Sequence, residues 1–266
     1  MIGGRASRGI SPLEARLMFV AAVAIVVTIA ACAVAVLLVS YRPRAVSAVA
    51  RPRGVTDTSV LKTSLGTLMY SDNFRDHTDD WSASSTQPGT SFSYSASGYV
   101  IIGTGNIVHP ATPPYFTLLQ QVSMSMTAMQ TADTPAGQGF GVQCRRGSGA
   151  AAVRYELLVA GASWRVWRRD GTVSPNKGPI EIREGTSPVV AGPQPMTIVG
   201  VCATLADGVS TRLAIFVNGT EVVDLVDTED TALPGRGWLT GLVVWSAPTA
   251  PSIVTVTEFE VRDLSG

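Results

Sequence analysis

"TRLAIFVNGTEVVDLVD", residues 211–227, decides the fold. Leu213, Ile215 and Val217 alternate with Arg212, Ala214 and Phe216, and a second apolar run follows through Val223 and Leu225. A period of two puts one set of side chains on a buried face and the other on the opposite face of a strand. Between the two runs stands Asn218-Gly219. A type I′ turn needs positive φ at both central residues, and Asn and Gly tolerate that best. The stretch therefore reads as a β-hairpin. Asn218-Gly219-Thr220 also fits an N-glycosylation acceptor, but the turn already accounts for the same residues.

The same texture extends in both directions. Residues 116–131 alternate through Val122, Met124, Met126 and Ala128. Short β runs follow at 138–146, 153–160, 163–169, 196–205, 237–246 and 253–264, separated by Gly, Pro, Asn or Asp. Gly161 and Asp170-Gly171 mark two further tight connections. No long 3.6-residue apolar stripe occurs after residue 40, and evenly spaced strands between turn residues predict an all-β sandwich or barrel.

The N-terminal region differs. Residues 17–39, "LMFVAAVAIVVTIAACAVAVLLV", hold no charge, Pro or Gly. At 1.5 Å per residue such a helix reaches roughly 35 Å, enough to cross a hydrocarbon core of about 30 Å. It exceeds the apolar region of about 7–15 residues in a secretory signal. Cys32 ends a lipid-box-like "IAAC", but apolar residues continue directly after it, so a retained span is the better reading. The expected organisation is a cytoplasmic tail at 1–16, one transmembrane helix at 17–40, a tether at 41–65 rich in Arg, Pro, Ser and Thr, and a β-sandwich at 66–266. Residues 1–53 carry a net charge of +6 and the remainder −6. A mildly acidic globular part argues against nucleic acid, which needs a basic face.

Cys144 and Cys202 lie in two alternating strands of the same region. No Cys-x-x-Cys occurs and the chain has two His, so the spacing fits no metal site. Buried free thiols, a disulfide and reactive cysteines are the readings open. A bridge would contribute about 4 kcal/mol by the chain-entropy model and would need an oxidising space. Arginines flank the apolar run on both sides almost equally, so charge alone does not orient it. The bridge favours an N-terminus inside and the sandwich outside the membrane.

In order along the chain, "YSDNFRDHTDDW" (70–81), "GFGVQCR" (139–145), "YELLVAGASWRVWR" (155–168), "EGTSPVVAGPQPMTIVGVC" (184–202), "LAIFVNGTEVVDLVD" (213–227) and "GRGWLTGLVV" (235–244) resemble a group of membrane-tethered actinobacterial ectodomains. These are concanavalin A-like sandwiches of the laminin-G and 3-keto-disaccharide hydrolase-like kind. The resemblance covers about residues 66–264. It implies a two-sheet jelly roll of about a dozen strands, in which the strand of the first cysteine pairs with that of the second. It implies no single activity, because the fold serves lectins, glycosidases and adhesion modules alike.

Chemistry is sparse. Glycoside hydrolysis needs two carboxylates across the scissile bond. Glu181 and Glu184 are three apart and are expected on opposite faces of a strand; Glu258 and Glu260 share a face that reads as the solvated side of a final strand. Asp72, Asp76, Asp79 and Asp80, with His77, offer oxygen ligands for calcium without EF-hand spacing, and read as a solvated loop whose Phe74 and Trp81 plug the sandwich. His109, before Pro110, is expected in an extended surface loop. No metal or cofactor is expected. A binding face is the stronger candidate. In "SWRVWRR" Trp164 and Val166 read as core, while Arg165, Trp167 and Arg169 share the other face, joined by Glu156 and Arg154 of the preceding strand. An exposed indole among hydrogen-bonding side chains suits a sugar ring or a protein contact. Trp238 and Trp245 read as core. The expected function is a membrane-anchored, non-catalytic binding module at the cell envelope, for a glycan or an envelope protein. A structural subunit is the alternative, and a glycoside-active enzyme a third.

Overall fold

The computed structural model describes residues 66–76, 81, 89–105, 108–114, 117–131, 138–147, 152–170, 179–187, 194–228, 237–247 and 250–265. The expected span at 17–40, Cys32 and the tether lie outside the described residues. The strands are, in chain order, β1 (Thr67–Asp72), β2 (Thr90–Ser95), β3 (Gly98–Gly103), β4 (Val108–Ala111), β5 (Gln121–Gln130), β6 (Gly139–Arg146), β7 (Val153–Ala160), β8 (Ser163–Asp170), β9 (Ile180–Thr186), β10 (Met196–Thr204), β11 (Thr211–Val217), β12 (Thr220–Asp227), β13 (Trp238–Trp245) and β14 (Ser252–Asp263). Among the described residues there is no helix.

An eight-stranded sheet runs β12-β11-β10-β5-β14-β3-β2, with β1 also on β14; a six-stranded sheet runs β4-β13-β6-β7-β8-β9. The hairpin of 211–227 forms as read: Val217 pairs with Thr220, and Asn218 and Gly219 take φ of 49° and 78°. Asn218 also ties the turn to β10, its Oδ1 accepting from the Thr197 amide at 2.9 Å. His109 and Pro110 lie on β4, an edge strand rather than a loop, where a missing amide proton is tolerated.

The core lies between the sheets. Val122, Met124, Met126 and Ala128 of β5 are all buried, as their alternation requires. On β14 the buried set passes from Val254 and Val256 to Phe259 and Val261. A register shift between Val256 and Glu258 inserts one residue and reverses the parity. Glu258 is exposed and Glu260 pairs with Arg262 at 3.1 Å, which makes this the strand's solvated side.

Cys144 and Cys202 form a disulfide with Cα atoms 6.5 Å apart. The pairing of their strands that the resemblance implied is corrected: β6 belongs to the six-stranded sheet and β10 to the eight-stranded one, so the bond crosses the core. Facing sheets ordinarily lie about 10 Å apart. The closer approach leaves little room beside the bond. Two residues along β10, a Cβ on Gly200 would lie 2.3 Å from Val142 Cγ2 and 2.8 Å from Leu157 Cδ1. A side chain there would force the Val142 and Leu157 side chains of the opposite sheet to move.

Phe74 and Trp81 plug the sandwich as expected. Trp81 packs edge-on to Phe74 and Phe259, at 5.2 and 5.3 Å between ring centroids, and donates its indole N–H to Tyr70 Oη at 2.9 Å. Asp72 is not solvated. It is buried, and its Oδ1 accepts the Phe74 amide at 2.6 Å, fixing the turn that carries Phe74 inward. Asp76 is exposed, while His77, Asp79 and Asp80 lie outside the described residues.

Charge also enters the core. Arg146 and Arg168 point inward from β6 and β8 and are buried. Arg168 Nη1 reaches Asp227 Oδ2 at 2.7 Å, and the same oxygen accepts from Tyr155 Oη at 2.8 Å. Arg146 lies 4.0 Å over the Trp238 ring and donates to Thr204 Oγ1.

Three variants test this packing by urea unfolding read through tryptophan fluorescence. Gly200→Val is expected to destabilise by about 1–3 kcal/mol through overpacking. Replacing both Cys144 and Cys202 with Ala is expected to lose about 4 kcal/mol. Asp227→Ala leaves a buried arginine without its carboxylate and is expected to cost about 3–5 kcal/mol.

Candidate functional site

The outer face of the six-stranded sheet collects the polar and aromatic residues. Its register lays them in rows. Arg145, Arg154 and Arg169 stand directly opposite one another on β6, β7 and β8. The next row is Gly241, Gln143, Glu156, Trp167 and Glu181, from β13 to β9. The third is Val243, Gly141, Leu158, Arg165 and Glu184. Directly opposed side chains in such rows have Cβ atoms about 4.5–5.5 Å apart.

Glu181 and Glu184 were expected on opposite faces. They share this one, because the register shifts between Val166 and Trp167 and adds one residue, Ile182, to β9. Glu184 pairs with Arg165 at 3.4 Å, and both glutamates are exposed at the sheet edge.

The expected site residues Trp167, Arg165, Arg169 and Glu156 do lie on one face, but two of them are enclosed. Trp167 is 8% exposed and Glu156 0%. Trp167 meets Trp245 edge-on at 5.3 Å, with Leu158 and Val243 beneath. The rings meet although β6 and β7 separate their strands. Gly139 and Gly141 on β6 leave the intervening ground without side chains. The expectation of an exposed indole at Trp167 is therefore corrected. The aromatic that reaches solvent here is Trp245, half-buried, with the Arg165 guanidinium 4.8 Å from its ring. Its assignment to the core is corrected as well. Trp245 is seven residues from Trp238, and an odd spacing puts it on the opposite face. Trp238 itself is core.

Glu156 organises the centre. Its Oε1 accepts from Arg169 Nε at 2.7 Å and faces Arg154 Nε at 3.0 Å. Its Oε2 is buried without a donor among the described residues, and so is Oε1 of Gln143, the residue directly opposite. Burial holds the Arg154 guanidinium below its ordinary pKa; Glu156 opposes that shift, and the charges of Arg169 and Arg145 add to it. Arg154, Arg169 and Arg145 are half-buried. Sequence reasoning passed over Gln143 and Arg145 and placed Trp245 in the core. Their signal was parity: each is an odd number of residues from a core neighbour on its own strand, Cys144 or Trp238.

The other outer face is different in kind. Val201, Ala203, Ala214 and Phe216 form an apolar cluster on β10 and β11, already buried. Among the described residues no group of three or more His, Cys, Asp and Glu side chains could hold a metal ion.

No protein-family model matches the chain, and no curated protein matches it. Solved structures share its fold. A Bacillus subtilis protein of unknown function with a galectin-like fold is 12% identical, with a TM-score of 0.53, over 75% of this chain and 97% of that one. The potassium-bound carbohydrate recognition domain of Emp46p is 12% identical, with a TM-score of 0.50, over 73% of this chain and 96% of that one. The chain is thus an all-β, two-sheet jelly-roll sandwich of the galectin-like, concanavalin A-like type.

Proposed function

We propose that the protein is a non-catalytic glycan-binding module, held at the outer surface of a cell membrane by residues 17–40, and that it binds through the outer face of the six-stranded sheet. The observation that carries this reading is the half-buried Trp245 ring on the same outer face as the half-buried guanidiniums of Arg145, Arg154 and Arg169. Glu156, enclosed beneath this face, accepts from Arg169 and faces Arg154, which holds their guanidiniums in place for ligand hydroxyls. Trp245 supplies a flat, partly exposed ring on the same face, and rings of this kind stack on the apolar face of a pyranose. The carbohydrate recognition domain that shares the fold supports the reading. The disulfide supports an extracytoplasmic setting, since such bonds persist in oxidising compartments.

A structural subunit docking through a flat apolar patch has less behind it. Among the described residues the exposed large apolar side chains are Leu68, Met69, Leu118, Met129, Ile180 and Val209; Leu68 and Met69 are consecutive on β1, and the other four lie on separate segments. Large contiguous patches, not scattered single residues, mark such interfaces.

Two experiments test the proposal. In a screen against glycans and cell-wall polymers, the chain is expected to bind, and Trp245→Ala and Glu156→Gln are each expected to lose at least about tenfold in affinity, ~1.4 kcal/mol. Arg212→Ala, on the other sheet, is expected to bind like the parent. Equal binding by all four proteins would remove this face from the reading. A membrane-impermeant reagent is expected to label the sandwich on intact cells; labelling only after lysis would overturn the topology.

A further inference from the structure

Arg145, Arg154 and Arg169 form a continuous row across three neighbouring strands. Like charges set directly opposite destabilise a sheet. One buried carboxylate, Glu156, answers them, so the row keeps two positive charges in excess. Arg145 has no ion pair among the described residues. Residues 54–266 carry six net negative charges, so the row runs against the charge of its own domain. The arrangement is also selective. "Arg145-Arg146" and "Arg168-Arg169" each divide between the two faces of the sheet. The inward members meet a carboxylate, a hydroxyl or an indole inside the sandwich. The outward members, joined by Arg154, remain half-buried at the surface; Arg154 and Arg169 meet Glu156, and Arg145 meets no carboxylate among the described residues.

We infer that the arginine row is an oxyanion subsite, and that the glycan bound by this face carries acid groups, carboxylate or sulfate. The inference rests on the glycan reading above and narrows it. Guanidinium forks match planar or tetrahedral oxyanions with two parallel hydrogen bonds, and partial burial strengthens such pairs. The half-buried guanidiniums of Arg145 and Arg169 take the acid group, and the rest of the glycan lies along the same face. A row of three cations fits a chain with repeated acid groups better than a single charged residue.

The test uses the full chain in detergent on an array that prints uronate-bearing and sulfated oligosaccharides beside their neutral carboxyl-reduced and desulfated counterparts. Binding is expected to the acid members at least tenfold above their neutral partners, and to fall as salt is raised. The choice between uronate and sulfate members identifies the acid group. Arg145→Gln is expected to reduce that binding at least fivefold while the unfolding midpoint stays level or rises, because a like-charge contact has been removed. Equal binding to acid and neutral partners would overturn the inference and leave the glycan reading standing. Binding to no member at all would overturn both. An Arg145→Gln protein that loses stability yet keeps its preference for acid members would show the row to be structural and overturn the subsite.

Discussion

The close approach of two sheets at Cys144 and Cys202 governs the sandwich. With Cα atoms 6.5 Å apart, the bond draws β6 and β10 nearer than side chains ordinarily permit. Gly200 makes that possible from one side. Met124, opposite Gly200 on β5, is an unbranched residue that adapts to the irregular space left over. The inward side chains of β6, β7 and β8 are thereby pinned against the eight-stranded sheet. Their outward neighbours, one residue away in each case, are fixed as a consequence.

That coupling makes the outer face of the six-stranded sheet orderly. Glu156 is held by two arginines while its strand neighbours Tyr155 and Leu157 lie in the core. Trp167 cannot turn outward without abandoning Trp245, Leu158 and Val243. The indole pair closes one part of the face, and the arginine row stays open at another. The energetic contrast is informative. Inside the sandwich, Arg168 has Asp227 and Tyr155 on one oxygen. Outside, Arg154 and Arg169 share one carboxylate, and Arg145, the third of the row, has none among the described residues.

Much of this was legible in the sequence because strand alternation is a local property. The hairpin at 211–227, the buried sets of β5 and β8, the turn at Asn218-Gly219 and the aromatic plug followed from period two and turn chemistry. Errors arose where one residue changed the parity or where a face had to be assigned. Glu181 and Glu184 looked opposed until the extra residue in β9 aligned them. Trp245 looked like core because its neighbours are apolar, although Trp238 seven residues earlier already occupied the inward side. Asp72 looked solvated because nothing in its own stretch shows that its carboxylate closes the turn beneath Phe74.

By itself, then, the sequence determined that the region is built of antiparallel strands, which residues alternate, and which side chains could share a face with Trp167. Those facts depend on backbone pleat and on residues a few positions apart. The tertiary structure alone decided that the cysteine strands belong to different sheets, that Trp167 is covered while Trp245 stays partly exposed, and that Arg145, Arg154 and Arg169 fall into one row. Each depends on the register between strands that are distant in the chain, and register is set by the packing of the whole core.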